Sequence, residues 1–248
     1  MENFSKIMKE KPLSAAEQAE IAHIGDEKLT EELIWRQKLA DEAQKAIVDT
    51  GNTELIMWLI WCQKLAAEVQ AAVVNTGDKE LILGLILRQE LFGGVQAAIV
   101  NTGDKELIDL LVLYQKLSNE AQMAIVNVGD KELTVGLIVH QSLSDEAQMA
   151  IFNTGNQNLI MWLSKEQKLA DEVQAAIFET GNGELIERLI KKQKLADEVQ
   201  AAVFKTGNAA LIGEMIMRQK LSFEVRARIF GTDCEELVVK LLGEKISL

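Results

Sequence analysis

The chain has 248 residues, 48% of them hydrophobic and 26% charged, and it carries a formal net charge of −12 at pH 7. That hydrophobic content supplies a packed core and argues against disorder, while the acidic balance disfavours non-specific binding to nucleic acids or anionic membranes. Because no run of about 18 apolar residues occurs, we expect no membrane-spanning segment.

The first residues, 1–12, place apolar side chains at helical spacing and end at Pro12, the single proline of the chain. We interpret them as an N-terminal capping helix, since repeat arrays need polar ends for solubility, and they lack the apolar core of a secretion signal. The two cysteines, Cys62 and Cys234, lie far apart in the sequence. This spacing fits a reducing compartment, so we expect a cytoplasmic location.

A period of 26 residues organises the chain from residue 13 to residue 246, without an insertion or a deletion. Numbered from its glycine, the repeat reads G-[DN]-x-E-L-I-x-x-L-I-x-x-Q-K-L-[SA]-x-E-V-Q-A-A-I-V-N-T. Such a period is typical of an array in which each repeat buries its apolar face on its neighbours. We predict a single repeat domain over residues 13–246 and a tail at 247–248. Its nine repeats begin at residues 13, 39, 65, 91, 117, 143, 169, 195 and 221, and the last is interpreted as a C-terminal cap.

Each repeat contains the pattern of two short helices. Asp or Asn at position 2 is a good N-cap for one helix, named helix B, which carries Leu-Ile at positions 5–6 and 9–10 on one side. Ser or Ala at position 16 begins the other, helix A, and the next glycine is suited to end it as a left-handed C-cap. We therefore predict an all-α fold, an α-solenoid formed as a superhelical array of nine two-helix repeats with terminal caps.

The segment V-Q-A-A-I-V-x-T-G-[DN]-x-E-L-I-x-x-L-I resembles the helix-turn-helix unit of short HEAT-like α-solenoids. It is most similar to the leucine-rich repeat variant, and the resemblance covers residues 13–246. The chain departs from that family in its repeat length, in Gln where Arg is usual, and in Thr-Gly where Asn-Pro is usual. The resemblance implies a scaffold or binding surface whose B helices line the concave side, and it implies no chemistry.

Comparison between repeats shows that positions 7, 8, 11 and 12 of helix B vary while the framework barely changes. These positions lie opposite the Leu-Ile side of the helix, so we expect them to face solvent, with 8 and 11 at the centre. All four tryptophans and the single tyrosine occupy them. Exposed apolar surface of this kind marks interfaces. The candidate partner-binding residues, here called the apolar stripe, are Trp35, Trp58, Trp61, Leu87, Leu110, Leu113, Tyr114, Val139 and Trp162.

Other interpretations of the apolar stripe remain open. Positions 7 and 12 could pack laterally between neighbouring B helices, and the stripe could be covered by a second copy or by a strongly curled superhelix. Two glutamines recur in the frame as well: we expect the one at position 13 to satisfy carbonyls at the end of helix B, and the one at position 20 to bond between repeats.

Residues suited to chemistry are scarce. His23 and His140 lie more than four repeats apart, and Cys62 has no partner base in the repeat frame. We therefore expect no enzyme activity, no cofactor and no metal site. The expected function is a scaffold that binds a protein or peptide.

Two alternative functions remain. One is a modular reader of single-stranded nucleic acid, and the other is a homo-oligomer formed through the stripe. Two features make nucleic acid the less favoured ligand. The chain has a negative net charge, and the basic residues of helix B cluster only at Arg188, Lys191, Lys192 and Arg218. Variation confined to a few surface positions would also suit an engineered or de novo repeat library, although irregularities such as Phe92 and Ser164 favour a natural origin.

Overall fold

The computed structural model describes residues 11–230, without the side chains of residues 229 and 230. Residues 1–10 of the predicted N-terminal cap, most of the predicted C-terminal cap and the tail lie outside the described residues. The chain divides into two compact segments, Met1–Gln141 and Ser142–Leu248, and each segment is described by itself. The prediction of one uninterrupted repeat domain therefore stays a prediction.

The described residues form seventeen α-helices and no strand. The helices of the first segment are α1 (Ala15–Ile24), α2 (Glu27–Arg36), α3 (Asp41–Asp49), α4 (Thr53–Cys62), α5 (Ala67–Asn75), α6 (Lys79–Arg88), α7 (Gly93–Asn101), α8 (Lys105–Tyr114), α9 (Asn119–Val128) and α10 (Lys131–His140). The helices of the second segment are α11 (Asp145–Asn153), α12 (Gln157–Glu166), α13 (Asp171–Glu179), α14 (Gly183–Lys192), α15 (Asp197–Lys205), α16 (Ala209–Arg218) and α17 (Phe223–Phe230).

Odd-numbered helices are the predicted A helices and even-numbered helices are the predicted B helices. Within each segment, every A helix packs against the next A helix, every B helix packs against the next B helix, and the two helices of a repeat pack against each other. This regular packing between neighbours confirms an all-α solenoid fold.

Local chemistry sets the helix boundaries at the predicted residues. At the start of α6, the Asp78 side chain accepts hydrogen bonds from the backbone N–H groups of Glu80 and Leu81, and the Asp or Asn at the same position caps the other B helices. The A helix that precedes each B helix is followed by a glycine with φ between 67° and 75°. A side chain would be strained in that left-handed conformation, which explains why this position is glycine.

The core of each segment is built from the repeated Leu-Ile pairs. In α4, Leu59 and Ile60 have no exposed surface, and Leu55 and Ile56 are buried as well. Each B helix places these residues against its own A helix and against neighbouring repeats, so that burial of apolar surface stabilises helices that are too short to be stable alone.

The glutamine at position 13 connects consecutive repeats. Gln115 Nε2 donates to the carbonyls of Ile86 and Gln89, 2.7 and 2.9 Å away at the end of α6, and its Oε1 accepts from the Leu91 N–H at 3.2 Å. The prediction that this glutamine satisfies carbonyls at the end of a B helix is confirmed, but the expected helix was its own, and the structure shows that these carbonyls belong to the B helix of the preceding repeat.

The glutamine at position 20 is buried and also connects repeats. Gln96 Nε2 donates to the carbonyls of Leu91 and Lys116 at 3.2 and 3.0 Å, both in its own repeat. Its Oε1 accepts from the Ser118 N–H of the next repeat at 2.8 Å. The predicted bond between repeats is confirmed. The side chain provides hydrogen-bond partners for three backbone groups that lie in loops outside the helices.

Candidate interaction surface

The variable positions of helix B differ in exposure, and the pattern corrects one expectation. In the described B helices, position 11 is exposed throughout and position 12 is exposed in all but Cys62, whereas positions 7 and 8 are mostly half-buried. Burial between neighbouring B helices therefore falls mainly on positions 7 and 8, whereas position 12 stays exposed except at Cys62. The reason is the contact between neighbouring B helices: a Cβ added to Gly84, at position 8, would lie 3.1 Å from Met57 Sδ, at position 7 of the preceding repeat.

Most residues of the apolar stripe lie in the first segment and are exposed. Tyr114 is 62% exposed, Trp35 56% and Trp61 53%, and the structure places Leu87, Leu113 and Val139 on the surface as well. Trp58 and Leu110, both at position 8, are half-buried.

Trp162 lies in the second segment, in α12, and is 38% exposed. The Lys165 ammonium lies 4.7 Å from its ring centroid, within the range in which a cation is attracted to an aromatic face. Because Trp162 belongs to the other segment, we treat it as a separate exposed anchor.

Three tryptophans from two neighbouring repeats form a contiguous group, here called the tryptophan cluster: Trp35, Trp58 and Trp61. The ring centroids of Trp35 and Trp58 lie 5.2 Å apart at an interplanar angle of 54°, and those of Trp58 and Trp61 lie 5.8 Å apart at 84°. These are favourable distances and inclinations for aromatic pairs. Trp58 is half-buried because it lies between the other two rings.

Arg88, in the next repeat, extends the cluster. Its guanidinium carbon lies 5.5 Å from the ring centroid of Trp61, a cation–π distance. In the Trp35–Trp58 pair, position 11 of one repeat contacts position 8 of the next. In the Trp61–Arg88 pair, position 11 of one repeat contacts position 12 of the next. Side-chain contacts on the outer surface therefore connect neighbouring repeats of this segment, in addition to the contacts in its core.

Two hollows lie on either side of Trp61. The first, here called the tryptophan cleft, has a volume of about 330 Å³. Its lining combines apolar and acidic side chains and consists of Thr53, Glu54, Met57, Trp58 and Trp61 from α4 and Asp78, Glu80 and Leu81 from the start of α6. Room for a small side chain, aromatic walls and nearby carboxylates make it a candidate binding site.

The second hollow has a volume of about 410 Å³ and lies between Trp35, Trp61 and Arg88. Cys62 contributes to its lining, and burial raises the pKa of the Cys62 thiol. A thiol with a raised pKa stays protonated at neutral pH and is a poor nucleophile, so this hollow offers shape and apolar surface rather than reactivity.

Ion pairs connect the first turns of neighbouring B helices beyond the cleft. Lys79 Nζ lies 2.9 Å from Asp104 Oδ2 and 2.7 Å from Glu106 Oε2 in the next repeat, and Lys105 pairs with Asp130 in the same way. The hydrogen bonds that Lys79 donates to Glu106 and Asp104 raise the pKa of Lys79, and the bond from Lys79 lowers the pKa of Asp104. The lysines and Glu106 are exposed and the two aspartates are partly exposed, so each pair contributes little stability but fixes where charge lies on the surface.

Two of the four basic residues considered for nucleic-acid reading pair with carboxylates of their own helix. Lys191 pairs with Glu187 one turn earlier, and Arg218 is 2.7 Å from Glu214. A neighbouring carboxylate reduces the attraction that such a side chain exerts on phosphate.

Several residues of the surface were missed by the sequence analysis. Arg88, Met57 and the acidic pair Asp78 and Glu80 join the tryptophans in space. A comparison of position 3 along the repeats would have pointed to this region, since Thr53 stands where Lys79 and Lys105 stand in later repeats.

A bilayer-spanning helix needs about 20 apolar residues, and no helix in the described part of the chain has that length and hydrophobicity. Comparisons of the chain with protein-family models, with curated proteins and with solved structures found no match.

Proposed function

We propose that the chain is a non-enzymatic repeat scaffold that binds a protein or peptide through the exposed side of its B helices, with the tryptophan cluster as the central anchor. The observation that carries this proposal is the exposure of Trp35 and Trp61, each more than half exposed, beside the half-buried Trp58. Large aromatic side chains are costly to leave in water and supply much of the binding energy at protein interfaces.

The distribution of change along the repeats supports the same function. The buried Leu-Ile pairs and the bridging glutamines maintain the frame. The side chains that differ from repeat to repeat include those at the exposed positions 11 and 12 and at the mostly half-buried positions 7 and 8. Changing these residues alters the surface without disturbing the core, as a scaffold that presents a specific binding face requires.

We include two finer points in the proposal. The short repeat, with its V-Q-A-A-I-V element before a turn and a Leu-Ile helix, suggests a kinship with HEAT-like solenoids of the leucine-rich repeat variant type. A cytoplasmic location suits the separated cysteines, Cys62 and Cys234.

The test selects binders to the whole chain from a library of displayed random peptides. The affinities of the enriched peptides are then measured for the wild type and for the variants Trp61→Glu and Ile24→Glu. Trp61→Glu is expected to weaken their binding at least about tenfold, because it removes an aromatic anchor and adds charge. Ile24→Glu, an equivalent change at an exposed apolar residue of an A helix, is the matched control and should leave affinity unchanged. Equal affinity of wild type and Trp61→Glu for every enriched peptide would overturn the proposal.

Self-association is checked in the same experiment by sedimentation over a range of concentrations. A wild-type dimer that dissociates in Trp61→Glu, without any enriched peptide, would identify the stripe as an interface between copies and would also overturn the proposal. Single-stranded nucleic acid is measured in parallel at low and high salt, because binding through phosphates falls steeply with salt.

A further inference from the structure

The lysines at position 3 of α6 and α8 lie beside the first turn of the next B helix. Lys79 at this position contacts Asp104 and Glu106, at positions 2 and 4 of the next repeat, and Lys105 contacts Asp130. In these steps along the array, an ammonium group of one repeat neutralises the capping aspartate of the next.

The lysine series begins at Lys79, because position 3 carries Glu27 and Thr53 in the two preceding repeats. Asp78 and Glu80 occupy the same repeat positions as Asp104 and Glu106, but the preceding position 3 carries a threonine without charge. Within residues 11–230, neither Asp78 nor Glu80 forms an ion pair. Asp78 is nevertheless held in place, because its Oδ1 accepts from the N–H groups of Glu80 at 2.9 Å and Leu81 at 3.1 Å.

The position without a lysine, Thr53, coincides with the tryptophan cleft. Thr53, Trp58 and Trp61 contribute to the lining from α4. Asp78 and Glu80 contribute to it from the start of α6. Its volume of about 330 Å³ is many times the roughly 30 Å³ that one water molecule occupies in the liquid. The smaller threonine side chain therefore leaves both space and uncompensated negative charge where the next two repeats carry Lys79 and Lys105.

We propose, building on the proposed function, that the tryptophan cleft receives a lysine side chain of the bound peptide. The methylene stem lies along Trp58 and Met57, and the ammonium lies between Asp78 and Glu80, as the Lys79 ammonium lies between Asp104 and Glu106 one repeat later. Lysine combines an apolar stem with a charged end, and the tryptophan faces attract its cation in addition to the carboxylates.

The chemistry of the cleft selects against other occupants. An apolar side chain would leave the Asp78 and Glu80 carboxylates desolvated without compensation. An anionic side chain would be repelled by Glu54, Asp78 and Glu80. A lysine satisfies both the apolar and the acidic groups of the cleft.

The experiment measures the indole N–H signals of the intact protein by NMR while a small probe is added. The four tryptophans are assigned through individual Trp→Phe variants. The probe is Nα-acetyl-lysine methylamide, and the matched control probe is Nα-acetyl-norleucine methylamide, which keeps the stem and lacks the ammonium. We expect the lysine probe to shift the Trp58 and Trp61 signals saturably and to leave the Trp162 signal unchanged. The norleucine probe should bind at least about fivefold more weakly.

A substitution within the repeat frame provides the decisive variant. Thr53→Lys introduces the residue found at Lys79 and Lys105, so the variant is expected to fold, and its own ammonium should occupy the site and weaken the lysine probe at least about fivefold. Gly183→Lys makes the same kind of change at position 3 of the second segment and should leave the probe's binding unchanged. In salt of about 1 M, where the screening length is about 3 Å, the preference for lysine over norleucine should shrink.

Each contrary result is informative about one proposal. Equal binding of the lysine and norleucine probes, or undiminished lysine binding by Thr53→Lys, would overturn the lysine site. If selected peptides still depended on Trp61 in that case, the scaffold function would stand. Failure of the lysine probe to shift either tryptophan signal would also overturn the lysine site, whatever the peptides show.

Discussion

The rings of Trp35 and Trp58, which belong to neighbouring repeats, have their centroids 5.2 Å apart at an angle of 54°. This pair and the Trp58–Trp61 pair place one tryptophan between two others. The variable surface of the first segment is therefore a packed aromatic group in which one ring serves stability and two remain available to a partner.

Replacing the central ring is expected to destabilise the fold more than replacing an outer one. Trp58→Ala removes both ring pairs and a half-buried indole, so we expect a loss of about 2–4 kcal/mol in the free energy of unfolding. Trp61→Ala removes one pair and a mostly exposed ring, for which we expect about 1 kcal/mol. Urea unfolding followed by circular dichroism measures both, and equal losses would contradict the central role of Trp58.

Tryptophan fluorescence reports whether the surface is open in solution. Because Trp35, Trp61 and Trp162 are exposed, we expect red-shifted emission and strong quenching by acrylamide in dilute protein. A decrease in quenching with rising protein concentration would show that a second copy covers the surface. Weak quenching at all concentrations would contradict the exposed arrangement of these rings.

The buried glutamine at position 20 should be costly to replace. Gln96→Leu keeps a similar volume but leaves the Leu91 and Lys116 carbonyls and the Ser118 N–H without their side-chain partner. We expect a loss of about 2–4 kcal/mol. Gln157→Leu changes an exposed glutamine and should cost less than about 0.5 kcal/mol. Similar thermal denaturation of the two variants would show that the backbone groups find other partners.

Two glycines of neighbouring elements should respond in opposite directions to alanine. Gly136 lies within α10, and a Cβ added there would meet nothing within 4 Å, so Gly136→Ala should stabilise by about 0.5–1 kcal/mol through helix propensity. Gly129 has a φ of 75°, and Gly129→Ala should destabilise by about 1 kcal/mol or more because alanine disfavours this conformation. Denaturant titrations of both variants test the pair of signs.

The surface ion pairs should make stability depend on pH in acid. Hydrogen bonds from Lys79 and Lys105 lower the pKa values of Asp104 and Asp130 in the folded state. A carboxylate with a lowered folded pKa contributes stability that is fully present above its unfolded pKa, about 3.9, and that is lost as the pH falls through the folded pKa.

Asn at both positions keeps a side-chain cap, as it does in α4, but cannot titrate. The double variant Asp104→Asn and Asp130→Asn should therefore lose less stability than wild type between about pH 5 and pH 2. Melting temperatures over this range measure the difference, and parallel curves for the two proteins would contradict it.

The fold followed from the sequence because the period repeats the same physical demands many times. The capping Asp78, the left-handed glycines and the buried Leu59 and Ile60 are each specified by residues within one repeat. Propensity, capping and apolar pattern agree on the same two helices, and such agreement is what makes a local pattern reliable.

The details of the surface depend on relations between repeats that a helical projection does not contain. The projection placed position 8 at the exposed centre, but the neighbouring B helix covers it, as the contact between Gly84 and Met57 shows. The Trp61–Arg88 contact and the lining of the tryptophan cleft likewise join residues of successive repeats. Their proximity depends on which flank of a helix meets the next, and no single repeat encodes that direction.

The hydrogen bonds between repeats have a consequence for how the chain folds. In the described repeats they join residues 22 to 29 positions apart, as in the bonds of Gln96 with Ser118 and of Gln115 with Ile86. Adding a repeat lengthens the chain without adding any contact between more distant residues. The entropy lost in closing each loop is then the same at every step, so a nucleus can form at any repeat and grow in both directions. The low contact order of such an array favours fast folding of neighbouring repeats.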